Sequence, residues 1–237
     1  MSRGFKHTYR TSIPQIKALI RDTPPTSLIF QVIRDYKKRH TQAKLRSSGL
    51  LLLQKLFDES MQTNVWLFAA FGTLLGIIRE GGIISHDYDL DTAFIYRGQS
   101  DWNKIDEIFN KAGFHFLKEF SYQGITTERT YTLNGISIDV FAFIPYQSNQ
   151  FRAYLYYRDK TRSYANHEFS VAYVDFPDPG QLIRRTVQDD IVLIVPSEYE
   201  TLLQVTYGSA WAVPDPGYNH FDYWKPIDRA SGISTIL

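Results

Sequence analysis

The pattern of apolar residues along this chain changes several times, and each change predicts a different element. Apolar residues recur at helical spacing from Thr26 to about His40 and again from Thr41 to about Met61. The second helix has the clearer stripe, formed by Leu45, Leu52, Leu53, Leu56 and Phe57. The preceding residues are polar and end in Pro24-Pro25. We therefore expect an N-terminal arm over residues 1–25 and a single domain over residues 26–237.

Short apolar or alternating runs further along the chain predict strands. These runs cover residues 65–71, 90–96, 114–120, 125–133, 136–144, 151–157, 169–176 and 191–195. Asn134-Gly135 joins two of them and indicates a hairpin. Shorter helical patterns cover residues 74–80, 102–112 and 197–207, with Ser197 expected to cap the last. The mixture predicts an α/β or α+β fold, with a mixed β-sheet flanked by helices.

Composition and charge exclude several classes of protein. The chain has 237 residues, no cysteine, and a formal net charge of +1. Disulfides, thiolate metal sites and cysteine nucleophiles are thereby excluded, and near neutrality argues against a nucleic-acid partner. The N-terminal residues lack the apolar segment of a signal peptide, and the longest apolar runs are too short to span a bilayer. We expect a cytoplasmic protein without a transmembrane segment.

The densest chemical signal is a run of alternating aspartates. Asp87, Asp89 and Asp91 have a period of two, so an extended chain would place all three carboxylates on one face. Like charges about 4 Å apart repel by roughly 4 kcal/mol at an effective dielectric constant near 20. A cation would relieve that repulsion, and oxygen ligands favour Mg²⁺ or Mn²⁺. A calcium-binding EF-hand loop is excluded, because its required Gly and Glu positions are Thr92 and Gly98 here.

A fourth carboxylate lies in a later, otherwise apolar strand. Asp139 is flanked by Ile138 and Val140, and a buried carboxylate needs a cation, a hydrogen-bond partner or water. A structural salt bridge at Asp139, and a solvated acidic turn at the alternating aspartates, are the alternative interpretations.

Residues just before the aspartates are candidates for substrate binding. Gly72-Thr73 lies where a strand passes into a helix, where backbone N–H groups can bind phosphate. Arg79 could reach a phosphate with its guanidinium, and His86 is a candidate base or nucleotide contact. Taken alone, each has an ordinary alternative: a turn, an exposed arginine at a helix end, and a histidine hydrogen-bonded to the carboxylates.

Together these residues resemble a known signature. The segment GTLLGIIREGGIISHDYDLD, residues 72–91, is similar to that of the LicD/fukutin family, which has a nucleotidyltransferase-like fold. The stretch from Pro196 to Glu200, with Tyr207-Gly208, Trp211 and Pro214 after it, also resembles the family. Tyr88 departs from the pattern, because many members have consecutive aspartates there.

The resemblance implies a transferase that moves a phospho-alcohol, such as phosphocholine or ribitol phosphate, from a CDP-linked donor to a glycan or glycolipid hydroxyl. By match to the family, Asp89, Asp91 and Asp139 would hold Mg²⁺ or Mn²⁺ and form the catalytic set. Gly72, Thr73, Arg79, His86 and Asp87 would bind substrate. Asp139 is favoured as the general base, with Asp87 as the rival.

Two other functions are compatible with the same fold. One is transfer of a nucleoside monophosphate from an NTP with release of pyrophosphate. The other is a non-catalytic nucleotide- or glycan-binding module, which the intact Asp89, Asp91 and Asp139 argue against. The sequence leaves open whether the protein associates with a membrane surface or a glycosyltransferase.

Overall fold

The computed structural model describes residues 38–227 and 232–236. The chain divides into two compact units, Met1–Thr41 and Gln42–Leu237, and of the first unit only the helical residues 38–41 are described. The expected arm over residues 1–25, and most of the helix expected from Thr26 to His40, lie outside the described residues.

The second unit contains four α-helices and eleven strands among its described residues. The helices are α1 (Leu50–Met61), α2 (Phe71–Arg79), α3 (Gln99–Lys111) and α4 (Tyr199–Tyr207). The first seven strands are β1 (Phe68–Ala69), β2 (Leu90–Ile95), β3 (His115–Tyr122), β4 (Ile125–Leu133), β5 (Ile136–Pro145), β6 (Gln150–Tyr157) and β7 (Glu168–Pro177). The last four are β8 (Leu182–Thr186), β9 (Val192–Pro196), β10 (Lys225–Pro226) and β11 (Gly232–Ile236).

Most of the strands form one mixed sheet. Its order over the described residues is β1-β2-β5-β4-β3-β11-β7-β10, and β6 pairs with both β5 and β7. Strands β2 and β5 run parallel to each other, while the other pairings are antiparallel. Strands β8 and β9 form a separate two-stranded sheet. The expected mixed sheet with flanking helices is confirmed, and the fold is α+β.

Helix α1 and the turn before it contribute one apolar face to the core. Leu45, Leu53, Leu56 and Phe57 are fully buried, as their helical spacing predicts, while Leu52 is only partly buried. A π-helical turn, Leu45–Gly49, precedes α1. At its end a Cβ on Gly49 would lie 2.6 Å from Ile83 Cδ1, so a larger residue there would displace the tip of the Ile83 side chain.

The hairpin between β4 and β5 forms as the sequence predicts. Asn134 and Gly135 have φ angles of 53° and 83°, the left-handed conformation that a two-residue hairpin turn requires. The turn fixes the register of β5 against β4, and the register determines which β5 side chains face the site.

Several expected boundaries are wrong. The run at residues 65–71 yields only the two-residue β1, and α2 begins at Phe71, so Gly72 and Thr73 lie inside its first turn. Phe71 reaches this position with a φ of 41°, while its ring packs against Phe141 and Trp224. These aromatic contacts stabilise a backbone conformation that is unfavourable for a large side chain.

Ser197 does not cap α4. Its hydroxyl accepts a hydrogen bond from the Gln181 backbone N–H (3.1 Å), and the helix begins two residues later. The hydroxyl therefore joins β9 to the segment before β8, a strand with no clear apolar period. Gly208 ends α4 with a φ of 84°, as expected.

Candidate active site

The two parallel strands bring the candidate carboxylates together. Asp91 on β2 is the register partner of Asp139 on β5. Asp139 is in turn opposite Thr130 on β4, and Thr130 is opposite Lys118 on β3. We call this set the carboxylate row: Lys118, Thr130, Asp139 and Asp91, on four neighbouring strands. Two residues 48 positions apart in sequence thus become neighbours through strand register.

Hydrogen bonds orient the carboxylates of the row. The Thr130 hydroxyl donates a very short hydrogen bond to Asp139 Oδ1. The Gly72 backbone N–H donates to Asp91 Oδ2 (3.0 Å), and the Asp91 backbone N–H donates to Thr73 Oγ1 (2.7 Å). The first turn of α2 is therefore connected to β2 at two points. The sequence predicts that Gly72 and Thr73 bind phosphate. In this structure both residues are instead hydrogen-bonded to Asp91.

The other two aspartates lie in the loop before β2. Asp87 and Asp89 are outside the strand, so the expected extended run of three carboxylates is confirmed only at Asp91. The loop nevertheless returns Asp87 to the site. A Cβ on Gly72 would lie 3.1 Å from Asp91 Oδ2 and 3.4 Å from Asp87 Oδ2, so both carboxylates adjoin this glycine.

Burial and mutual repulsion both act on these acids. Burial is the main reason that the pKa of Asp89 is raised to about 6, and the Asp139 and Asp87 carboxylates add to that shift. Burial also raises the pKa of Asp91 well above its usual range, with further contributions from Asp89 and Asp139. The pKa of Asp139 is raised by burial, against the Thr130 hydrogen bond and the Lys118 charge, which lower it.

Two charged residues at this site were not anticipated. Glu128 on β4 is only 6% exposed, and its pKa is raised well above its usual range, first by burial and then by the Asp139 charge. The Lys118 amine lowers the pKa of Asp89, Asp139 and Glu128, which places a cation beside the acidic cluster. Both lie in strands with many polar residues, where they are typical of an exposed face.

The donor chemistry of this cluster suits a hard divalent cation. Asp89, Asp91 and Asp139 offer only carboxylate oxygens, and their mutual repulsion is the charge that Mg²⁺ or Mn²⁺ would neutralise. In the present geometry, no three His, Cys, Asp or Glu side chains within residues 38–227 and 232–236 are arranged to hold a metal ion. The structure therefore supplies the ligand types, and the metal remains a proposal.

A cleft of about 700 Å³ opens beside Gly72. Among the expected substrate-binding residues, Gly72, Arg79, His86 and Asp87 line it, whereas Thr73 is buried and bound to Asp91. The remaining lining residues come from α2, the Ile84 loop, the end of α4 and the segment after it: Leu75, Ile84, Tyr207, Ala210, Trp211, Val213, Pro214, Asp215, Pro216, Tyr218 and Tyr223.

Arg79 is held in the wall of this cleft with part of its guanidinium unused. Its Nη2 pairs with Glu80 Oε1 (2.9 Å), and its Nη1 donates to the Trp211 carbonyl (3.5 Å). The Nε atom is buried and has no hydrogen-bond partner. The expected alternative, an arginine exposed at a helix end, is wrong, because the side chain is only 12% exposed.

A second cavity of about 210 Å³ adjoins the carboxylate row. Asp91 lines it together with Phe71, Phe141 and Trp224, and it shares Tyr207 and Tyr218 with the larger cleft. His86 is exposed at the larger cleft, where its backbone carbonyl accepts a hydrogen bond from Gln42 Nε2 (2.8 Å). Tyr207 and Tyr218 line both cavities, so the larger cleft adjoins the cavity that Asp91 lines.

No helix among the described residues is long and apolar enough to cross a membrane.

Solved structures with some similarity to this chain include two of the antibiotic-resistance factor ANT(2'')-Ia. Its solution structure shares 14% sequence identity, covers 75% of this chain and 80% of that chain, and gives a TM-score of 0.42. Its crystal structure in complex with adenylyl-2''-tobramycin shares 13% identity, covers 73% and 82% of the two chains, and also gives 0.42. No curated protein has a significantly similar sequence.

A family model gives the firmer result. Residues 64–178 match the model described as "LicD/FKTN/FKRP, nucleotidyltransferase domain". The match contains Gly72, the alternating aspartates and Asp139, which are the residues that carry the resemblance in the sequence. This match supports the assignment of residues 64–178 to the LicD/FKTN/FKRP family.

Proposed function

We propose that this protein is a metal-dependent transferase that moves a phospho-alcohol from a CDP-linked donor to a hydroxyl of a glycan or glycolipid, releasing CMP. The observation that carries the proposal is the register pairing of Asp91 with Asp139 on parallel strands. It supports a shared role for two carboxylates that come from distant parts of the chain. The family match over residues 64–178 supports the transferase class.

The proposed reaction is a displacement at phosphorus. The acceptor hydroxyl oxygen attacks the alcohol-bearing phosphorus, and the bond from that phosphorus to the bridging oxygen breaks. CMP leaves with the electron pair of that bond, and the acceptor proton passes to a carboxylate. We assign Asp139 as this base, because Thr130 fixes one of its oxygens and so orients the side chain. Asp87 is the alternative base.

Three carboxylates would hold the ion. Asp89, Asp91 and Asp139 are the proposed ligands of Mg²⁺ or Mn²⁺, which when bound would stabilise negative charge on the diphosphate. The Arg79 guanidinium is the proposed contact to the donor phosphates. Gly72 lines the cleft beside them, and its N–H, which is bound to Asp91 in this structure, would have to exchange Asp91 for a phosphate oxygen to take part. His86 and Asp87 complete the charged part of the cleft.

Product analysis tests this proposal directly. The protein would be incubated with Mg²⁺ or Mn²⁺, a pool of glycan acceptors, and CDP-choline, CDP-ribitol, CDP-glycerol, CTP or ATP. We expect acceptor-dependent CMP from one CDP-alcohol, with the signal lost in Asp91→Asn. Pyrophosphate from CTP or ATP, with a nucleotidylated product, would instead establish nucleotidyl transfer. Nucleotide binding without either product would indicate a non-catalytic module.

A further inference from the structure

The large cleft has two chemically different parts. Arg79 and Asp87 supply charge and His86 supplies an imidazole in one part, and four aromatic side chains supply apolar surface in the other. Those aromatic residues, Tyr207, Trp211, Tyr218 and Tyr223, come from the end of α4 and the segment after it, and we call them the aromatic wall. A cleft of this size with a few polar groups is typical of a small-molecule site.

The charged part contains a donor that lacks an acceptor. The buried Arg79 Nε–H has no partner, although the two terminal nitrogens of the same guanidinium are engaged. Leaving a buried donor unpaired is unfavourable, so an acceptor on a ligand would relieve it. A phosphate oxygen suits this donor, because a guanidinium binds phosphate through charge-assisted hydrogen bonds.

The aromatic wall is held in place before any ligand binds. The Tyr218 ring is parallel to that of Tyr223, with centroids 6.0 Å apart and 13° between the planes, and lies 5.0 Å from Tyr207. The Tyr218 hydroxyl donates to the Thr206 carbonyl (3.1 Å). The Trp211 backbone N–H donates to the Gly208 carbonyl (3.2 Å), which fixes the loop that carries the indole. Fixed rings of this kind stack well on a planar base.

Asp215 adds a selective polar group to the same cleft. Its Oδ1 accepts a hydrogen bond from the Gly217 backbone N–H (2.7 Å), which orients the carboxylate. A carboxylate only accepts hydrogen bonds, so it suits the exocyclic amine of cytosine and repels the carbonyl oxygen that uracil has at that position.

We propose that this cleft binds the nucleoside part of the donor, with the base against the aromatic wall and Asp215 selecting cytosine over uracil. This inference rests on the proposed function for the identity of the donor. It adds residues outside the matched family segment, since Trp211 and Asp215 follow residue 178. The diphosphate then faces Arg79 and Gly72, towards the carboxylates.

Calorimetric titration with CMP, UMP and AMP tests the inference without turnover. We expect CMP to bind about tenfold more tightly than UMP, and Asp215→Asn to remove that preference. Trp211→Ala should weaken CMP and UMP about tenfold alike, while Trp211→Phe should retain most of the affinity because it keeps a stacking ring.

Matched controls separate local from general effects. Asp58→Asn removes an exposed carboxylate on α1, and Trp66→Ala removes an indole that is 53% exposed, and neither residue lines the cleft. Both should bind CMP as the parent does. Unchanged CMP affinity in Asp215→Asn and Trp211→Ala, or an effect on the acceptor KM alone, would overturn the inference.

The two proposals can fail separately. Selective CMP binding that depends on Asp215, without CMP release from any CDP-alcohol, would support the nucleoside cleft and contradict the proposed reaction. CMP release that Asp215→Asn and Trp211→Ala leave unchanged in rate and KM would support the reaction and contradict the cleft assignment.

Discussion

The carboxylate row and the aromatic wall are adjacent but are positioned by different means. Asp91, Asp139 and Thr130 lie on three neighbouring strands, where register sets their spacing. The wall instead lies largely in an irregular segment after α4, held by ring contacts and a few hydrogen bonds. Under the two proposals, rigid strands would carry the chemistry, while a segment with less regular constraints would select the substrate.

The largest expected effect comes from removing the Asp139 carboxylate from the carboxylate row. Asp139→Asn removes the proposed base and a buried charge at nearly constant shape, and Asn can still accept the Thr130 hydrogen bond. We expect kcat to fall by about 10³ or more with no loss of thermal stability. Steady-state kinetics and a melting curve measure the two effects.

Asp106→Asn is the matched structural control. Asp106 accepts hydrogen bonds from Tyr131 (2.6 Å) and Arg129 (2.8 Å), away from the row. Its loss should lower the free energy of unfolding by about 1–3 kcal/mol and change kcat only a few-fold. If Asp139→Asn behaved like Asp106→Asn, Asp139 would be a structural residue.

A second test alters the junction between α2 and the row. Gly72→Ala places a methyl group 3.1 Å from Asp91 Oδ2, so the Asp91 carboxylate must shift by a few tenths of an ångström, while Asp87 Oδ2 at 3.4 Å stays at contact distance. We expect kcat/KM to fall about tenfold with little change in Tm, because alanine is favourable in a helix.

Gly76→Ala, in the same helix, provides the contrast. There the added carbon would lie 2.5 Å from the Gly82 carbonyl oxygen, which is backbone and cannot swing aside. This variant should lose stability instead. Equal Tm losses in the two variants would show that Gly72 is needed for packing, not for the carboxylates.

The acidic cluster predicts a pH dependence of stability in the metal-free protein. The pKa of Asp89 is about 6 in the folded protein, above the value of about 4 for an unfolded chain. Between these values the folded state binds more protons, so the free energy of unfolding falls as pH rises from about 4 to about 6.

Asp89→Asn should remove that penalty. In EDTA at pH 7 we expect a Tm gain of about 2–4 °C, corresponding to about 1 kcal/mol, and no gain at pH 4. Thermal melting at the two pH values, with Asp58→Asn as control, checks this. A lower Tm for Asp89→Asn at pH 7 would mean that Asp89 makes a stabilising contact.

The smallest expected effect comes from removing the charge of Lys118 in the carboxylate row. Lys118→Met keeps the length of the side chain and removes the charge that lowers the pKa of Asp139. The acidic limb of the pH profile for kcat should therefore move to higher pH. Lys104→Met, which breaks an exposed pair with Glu107 on α3, should leave the profile unchanged.

The sequence predicts the carboxylate row better than the aromatic wall, because the row lies on strands with a recognisable pattern and most of the wall lies in a segment without one. Asp139 is conspicuous because it is the one charged residue in the otherwise apolar strand β5. Glu128 is not predicted because it lies within five consecutive polar residues, Thr126–Thr130, a run typical of an exposed strand, although the folded protein buries this glutamate. The segment around Trp211 has no period, so nothing in it predicts a shared cleft with Arg79.

The parallel pairing of β2 with β5 also has a consequence for the order of folding. Strands β3, β4 and β5 follow one another through short turns, so Lys118, Thr130 and Asp139 can assemble from local contacts. Asp91 joins only when β2 closes a loop that includes α3, β3 and β4, and such non-local pairings form slowly. A growing chain that ends before β5 therefore has Asp91 without Asp139, so the proposed metal site cannot form until β5 has been made and has paired with β2.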